Sequence, residues 1–362
     1  MKPILWCSLA LCSSLTANPP PSVVRAGFIF EQAPFAECHA STIVDSGRGL
    51  VAAWFGGTRE RSPDVGIWVS RQESGGWTAP VEVANGLQFT YTDGTSLRYA
   101  CWNPVLFQNP GGPLILFYKV GTTAQNWWGM VVTSRDQGVT WTEPRRLPPG
   151  FFGPIKNKPV SLPGGVLLAP SSDESHETPS AWRVHFERSS DGGRTWTRTG
   201  PLNDGRTLSA IQPSILVHPG GRLQALGRTR QGRLFDTWSS DGGLNWGPLT
   251  LSELPNPNSG TDAVTLRDGR HLLVYNHAEA GRSPLNVALS RDGRAWVGAL
   301  VLESEPGEFS YPAVIQAADG LVHLTYTWKR KKIRHVVLDP ARLEGSPITA
   351  GRWPSTVGTA AP

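Results

Sequence analysis

Ser189-Ser-Asp-Gly-Gly-Arg-Thr-Trp196 decides the fold, because the chain says nearly the same thing three more times. The other copies are Ser134-Arg-Asp-Gln-Gly-Val-Thr-Trp141, Ser239-Ser-Asp-Gly-Gly-Leu-Asn-Trp246 and Ser290-Arg-Asp-Gly-Arg-Ala-Trp296. The third carries Asn245 in place of Thr, and the fourth is one residue short. A worn copy, Ser70-Arg-Gln-Glu-Ser-Gly-Gly-Trp77, stands upstream. Each reads as a hairpin turn. The Asp side chain bonds the backbone ahead of it, Gly supplies a positive φ, and the Trp is free to pack between neighbouring units. Repetition at a period of roughly fifty residues is the mark of a modular array.

A second repeat runs in phase. Short apolar strands open on a polar or small residue, often followed by Pro: His39-Ala-Ser-Thr-Ile-Val, Asn103-Pro-Val-Leu-Phe, Lys158-Pro-Val-Ser-Leu, Gln212-Pro-Ser-Ile-Leu, Thr261-Asp-Ala-Val-Thr-Leu and Tyr311-Pro-Ala-Val-Ile. A Gly-rich or Asp-Gly turn and a second apolar strand follow each. Dense short strands without a helical period read as all-β. Six such units predict an all-β, six-bladed β-propeller with Asp-box hairpins over residues 24–340. The last unit is one strand short, while Val24-Arg-Ala-Gly-Phe-Ile-Phe-Glu31 is orphaned at the start. That segment is expected to complete the sixth blade and remove an exposed edge.

Forty Gly and 31 Pro suit a turn-rich β protein. Met1-Lys2, an apolar run and Ser13-Ser-Leu-Thr-Ala17 read as a signal peptide over 1–17, which predicts a secreted or periplasmic protein. That run is too short to span a bilayer, and no other stretch is long enough. Residues 341–362 read as a flexible tail. Cys38 and Cys101 lie beside the openings of adjacent inner strands, where they either pair or stay buried as thiols. No Cys or His spacing marks a metal site, and no cofactor is implied. A net charge of +5 favours anionic substrates only weakly. Its densest run, Lys329-Arg-Lys-Lys332, reads as a solvated hairpin tip, and no nucleic-acid motif accompanies it.

In a propeller the inner strands line the axis and their starts converge on one face. Here those starts carry His39, Asn103, Lys158, Gln212, Thr261 or Asp262, and Tyr311. Polar groups at equivalent inner positions point to a polar pocket on the axis. The connecting loops add Arg59, Arg228 and Arg282, whose guanidiniums suit a carboxylate.

The Asp-box hairpins, the unit count and the loop order resemble the sialidase superfamily of BNR-repeat proteins across residues from about 25 to 340. The resemblance implies a glycoside hydrolase with an Arg cluster for a carboxylated sugar, an Asp acid/base and a Tyr nucleophile. Within Arg59-Glu-Arg-Ser-Pro-Asp64-Val-Gly66, Asp64 matches the acid/base. Arg228 and Arg282 match two of the arginines, and Tyr311 matches the nucleophile. Two positions depart. His39-Ala-Ser stands where the family opens its first blade with Arg-Ile-Pro, and Gln212 stands where the family has the Glu that assists the Tyr. Three readings follow. One is a sialidase-like hydrolase of an acidic sugar. Another is a uronate-directed polysaccharide lyase, in which His39, Lys158 and Tyr311 serve as acids and bases. The third is a glycan-binding propeller without catalysis.

Overall fold

A computed structural model describes residues 20–360, so the segment read as a signal peptide lies outside the described residues. Six antiparallel blades follow one another around an axis. Blade 1 runs outward through Glu37–Asp45, Leu50–Gly57, Gly66–Glu73 and Val81–Ala84. Blade 2 comprises Cys101–Gln108, Leu114–Val120, Trp128–Ser134 and Arg145–Arg146. Blade 3 has Val160–Leu162, Val166–Glu174, Trp182–Ser189 and Thr197–Arg198. Blade 4 has Ala210–Val217, Leu223–Thr229, Arg233–Ser239 and Thr250–Pro255. Blade 5 has Asp262–Thr265, His271–Tyr275, Leu285–Ser290 and Trp296–Glu303. Blade 6 is built from Phe309–Gln316, Val322–Trp328 and Lys332–Leu338.

The orphaned N-terminal segment does close the ring. Val23–Phe28 pairs antiparallel with Lys332–Leu338 as the outer strand of blade 6. The C-terminal residues differ from the loose tail expected of them. Ser346–Pro347 adds a fifth strand to blade 5, opposite Val297 and Gly298, and Ala360 N bonds Val301 O. A Pro- and Gly-rich composition hid this because edge strands tolerate such residues. A projecting hairpin, Leu87–Thr90 with Ser96–Arg98, was also not anticipated. Among the described residues no helix is long and apolar enough to cross a membrane.

The turns behave as their residues require. Ser189 Oγ donates to Asp191 Oδ1 at 2.8 Å and accepts from Gly193 N at 2.7 Å. Asp191 then accepts from the amide and hydroxyl of Thr195 at 2.9 and 2.6 Å. Gly193 takes φ 87°, a conformation that costs a side-chain-bearing residue. The knot aims Trp196 into the wedge beside Phe117, with ring centroids 6.0 Å apart. In the next blade Trp246 stacks flat on Phe186 at 3.9 Å.

These hydrogen bonds predict a pH dependence. Bonds from Thr140 hold Asp136 at about 2, and bonds from Asn245 hold Asp241 at about 2. Folded values below the unfolded value near 4 mean that this stabilisation is complete above about pH 4 and is lost as pH falls toward 2. Urea unfolding between pH 2 and 6 is expected to show that fall, with a shallower slope in Asp136→Asn/Asp241→Asn. An unchanged slope in the double variant would contradict the assignment.

Candidate functional site

The inner strands do not run straight to the axis. Register shifts mark bulges at His39–Thr42, Ile211–Ser214 and Ser310–Ala313, and another opposite Phe117–Lys119. At each bulge one non-glycine residue takes a positive φ: Ala40 at 56°, Asn103 at 34°, Gln212 at 58° and Tyr311 at 52°. Left-handed backbone at such residues is costly and clusters where a side chain must be re-aimed. The match between blades is confirmed by hydrogen bonds. Ala40 N bonds Thr327 Oγ1 at 3.1 Å, as Gln212 N bonds Ser172 Oγ at 3.2 Å. Ala40, not His39, is therefore the blade 1 counterpart of Asn103, Gln212 and Tyr311. His39 precedes the bulge by one residue.

The bulges open onto a cavity of about 290 Å³ on the axis. Of the residues expected at a site, His39, Asn103, Gln212, Arg228, Arg282 and Tyr311 line it together. Arg59, Asp64, Lys158 and Asp262 do not. Asp64 is exposed, and its Oδ2 accepts from the amide and hydroxyl of Thr58, both at 2.8 Å. It ties down its own loop, whose Glu60 and Arg61 reach the cavity while Arg59 stays exposed. Lys158 Nζ bonds Asp262 Oδ2 at 2.8 Å. That carboxylate also holds Ser214 Oγ and Val314 N, so the pair joins blades 3, 4, 5 and 6 rather than facing a ligand.

Tyr311 is the centre of the cavity. The guanidinium carbons of Arg228 and Arg282 lie 5.5 and 5.6 Å from its ring centroid. Lys156 Nζ is 5.7 Å away on the segment that crosses the axis. Lys156 is buried and donates to Thr261 O and Pro312 O at 2.8 and 2.5 Å. Burial pushes its ammonium down to about 7, against the pull of Asp262. His39 lies against Tyr311 with ring centroids 4.2 Å apart. Burial, and then the charges of Arg330, Arg282, Arg228 and Lys156, push this imidazole well below its ordinary range. It is neutral at pH 7, and its Nδ1 is buried without a partner. Gln212 Oε1 and Arg228 Nε are likewise buried and unpartnered. Such groups are costly in a dry core and belong where a ligand or water completes them.

Two features were missed in the sequence. One is Glu174, a carboxyl lining the cavity. Burial raises it above the usual carboxylate range, against Arg228, Arg230 and Arg61. The signal was there in the register. Counted from the Asp-box serines, Leu167 opposite Ser189 matches Leu223 opposite Ser239, which makes Glu174 equivalent to Arg230. The other is Arg330. The basic run expected to be solvated turns this residue inward, where it bonds Glu308 Oε2 at 3.0 Å and Glu60 Oε2 at 2.6 Å. Glu308 also takes Arg282 at 2.6 Å. Burial tends to raise the Glu308 carboxyl, but Arg282 and Arg330 override this and hold it below its usual range. Trp127, Trp102 and Trp182 give the cavity aromatic walls, whereas Trp128 packs on Tyr99 and Arg146.

Cys38 and Cys101 are buried free thiols, each pushed up by burial. Among the described residues, no three His, Cys, Asp or Glu side chains gather as a cation site.

A closed six-bladed ring of Asp-box blades is the fold of the sialidase-like propellers. A family model described as "BNR repeat-like domain" matches residues 48–324, and the chain belongs to that family. Comparison with curated proteins by sequence finds no match. Among solved structures the chain is similar to a protein of unknown function from Dyadobacter fermentans, at 18% identity and a TM-score of 0.72, covering 87% of this chain and 98% of that one. It is also similar to the intramolecular trans-sialidase of Ruminococcus gnavus in complex with oseltamivir carboxylate, at 13% identity and a TM-score of 0.70, covering 90% of this chain and all of that one. A variant of the NanB sialidase from Streptococcus pneumoniae is 12% identical with a TM-score of 0.68, over 90% of this chain and 71% of that one. At these identities the likeness is one of fold.

The Glu308 bridge yields a prediction. Glu308→Ala leaves Arg282 without a carboxylate and Arg330 with Glu60 alone. It is expected to lower stability by about 1.5–3 kcal/mol, the usual range for hydrogen bonds to charged groups. Urea unfolding measures this, and Glu308→Gln is expected to fall between the two.

Proposed function

We propose that the chain is a glycoside-cleaving enzyme that takes a carboxylated sugar in its axial cavity. One observation carries this reading: Arg228 and Arg282 flank Tyr311, and a carboxyl with a raised pKa, Glu174, lines the same cavity. Two guanidiniums bind a carboxylate by paired hydrogen bonds. The buried, unpartnered Nε of Arg228 is one donor available for it. The fold likeness to a trans-sialidase solved with oseltamivir carboxylate supports the same ligand class.

In this mechanism Glu174 is the acid, because burial keeps its proton closer to neutral pH. It protonates the glycosidic oxygen as the bond to the leaving group breaks. Tyr311 attacks the anomeric carbon, and its phenolic proton passes to the neutral imidazole of His39. Water then displaces Tyr311 and gives its proton to the Glu174 carboxylate, while His39 returns its proton to the departing phenolate, which releases the sugar and restores all three groups. His39 thus stands in for the carboxylate that Gln212 does not provide. Asp64 serves the loop that presents Glu60 and Arg61. Export by residues 1–17 belongs to the same proposal and would bring the enzyme to glycans outside the cytoplasm.

One observation favours a second reading. A neutral His against a Tyr beside two arginines also suits β-elimination from a uronate. There the arginines neutralise the carboxylate, His39 removes the proton next to it, and Tyr311 protonates the departing oxygen.

The test is a panel of sialosides, other acidic glycosides and uronic acid polymers, with reducing sugar and ultraviolet-absorbing unsaturated product read together. Hydrolysis predicts reducing sugar alone, and elimination predicts the unsaturated product as well. Under the first reading Glu174→Gln lowers kcat by about 10²–10⁴-fold, while Asp64→Asn retains most of it. The reverse pattern would return the acid role to Asp64. Binding across the panel without turnover would leave a glycan-binding propeller.

A further inference from the structure

The shortened signature of blade 5 has no part in the axial chemistry, yet it changes the surface. In blades 3 and 4 the signature Trp folds back on its own turn. Trp196 Nε1 and Trp246 Nε1 donate to Gly193 O and Gly243 O at 3.1 and 3.2 Å. Their rings then fill the wedge toward the preceding blade. In blade 5 the turn has lost a residue, so Trp296 enters the outer strand at once. The matching carbonyl, Gly293 O, is taken by Gln224 Nε2 at 2.8 Å instead. The wedge between blades 4 and 5 stays open as a cleft of about 660 Å³, larger than the axial cavity.

The cleft has an apolar floor of Leu226, Leu234, Leu254 and Trp296. Trp238 forms its wall. The guanidinium carbons of Arg222 and Arg294 lie 4.0 and 5.3 Å from the Trp238 ring centroid. Both arginines are exposed, and neither has a carboxylate partner among the described residues. Stacking on an indole fixes the guanidinium plane and leaves its in-plane N–H groups free for an anion. The nearby carboxylate of Asp236 is already occupied. It accepts from Trp238 Nε1 at 2.9 Å, Thr250 Oγ1 at 2.5 Å and Gln224 Nε2 at 3.3 Å. Glu253 is exposed but lies toward the far end, since Thr250 stands opposite Asp236 and Pro255 opposite Arg233.

We propose that this cleft is a second saccharide site, which takes an acidic sugar with its anionic group on Arg222 and Arg294 and its ring over the apolar floor. The site is separate from the axial cavity and does not depend on catalysis there. It would hold a second unit of an acidic glycan on the same chain.

Calorimetric titration tests this with three oligosaccharides of equal length: uronic, sulfated and neutral. The wild type is expected to bind two equivalents of at least one acidic ligand. Arg222→Ala/Arg294→Ala is expected to bind one. In an Arg228→Ala background, one binding event is expected to remain, and adding the two cleft substitutions is expected to weaken it at least tenfold. The uronic and sulfated arms decide which anion the arginines take. Unchanged stoichiometry in the cleft variant, or a neutral ligand bound as tightly as the acidic ones, would overturn the proposal. If the axial cavity takes no acidic sugar, the wild type binds one equivalent and the two cleft substitutions still abolish it, so the two readings fail separately.

Discussion

The pairing of Val23–Phe28 with Lys332–Leu338 closes the ring, and the rest of the structure depends on that closure. Blades touch only their neighbours, so an open array leaves two apolar sheet faces in water. Joining the first strand to the last blade covers both at once. It also fixes the radius of the ring, and with it the distance across the axis. Lys156 can reach Thr261 and Pro312 from blade 3 only because that distance is set.

Closure makes the axis a place where charge has to be managed. Six strands converge on it, and those of blades 1, 2, 4 and 6 are bulged where they arrive. The positive φ at Asn103, Gln212 and Tyr311 is a local cost borne to turn those side chains inward. Around Tyr311 the result is two arginines and a buried lysine near one ring. Repulsion among them is restrained from behind. Glu308 holds Arg282 and Arg330 together, and carbonyl oxygens hold Lys156. The cavity is thus prepared for an anion before one arrives, which lowers the reorganisation that binding requires.

Much of this was legible from the chain. The Asp-box turns are local: Ser, Asp, Gly and Thr satisfy one another within a few residues, so their spacing could be counted and the blades with it. Tyr311, Gln212 and Asn103 followed from the count because each opens an inner strand, while Arg228 and Arg282 came from the loops and the family resemblance. His39 was placed one residue off, since a bulge adds a residue that no pattern of apolar alternation reveals. Glu174 was hidden by an ordinary setting, the polar end of a strand. Asp64 lay in a loop rich in charge, where the nearest hydrogen-bond donor decides which way a carboxylate turns.

The sequence by itself determined the fold, the blade count and the closing strand. The first two rest on contacts between residues close in the chain or at a constant period, and the closing strand was legible because the last repeat is one strand short. Only the tertiary structure decided which charges share a cavity and which are tied elsewhere. Arg330 and Glu60, Lys158 and Asp262, and His39 and Tyr311 are paired across blades. Their separation in the chain carries no trace of their distance in space. The same holds for the cleft beside Trp238: one missing residue in a turn was visible, but the space it leaves exists only between two packed blades.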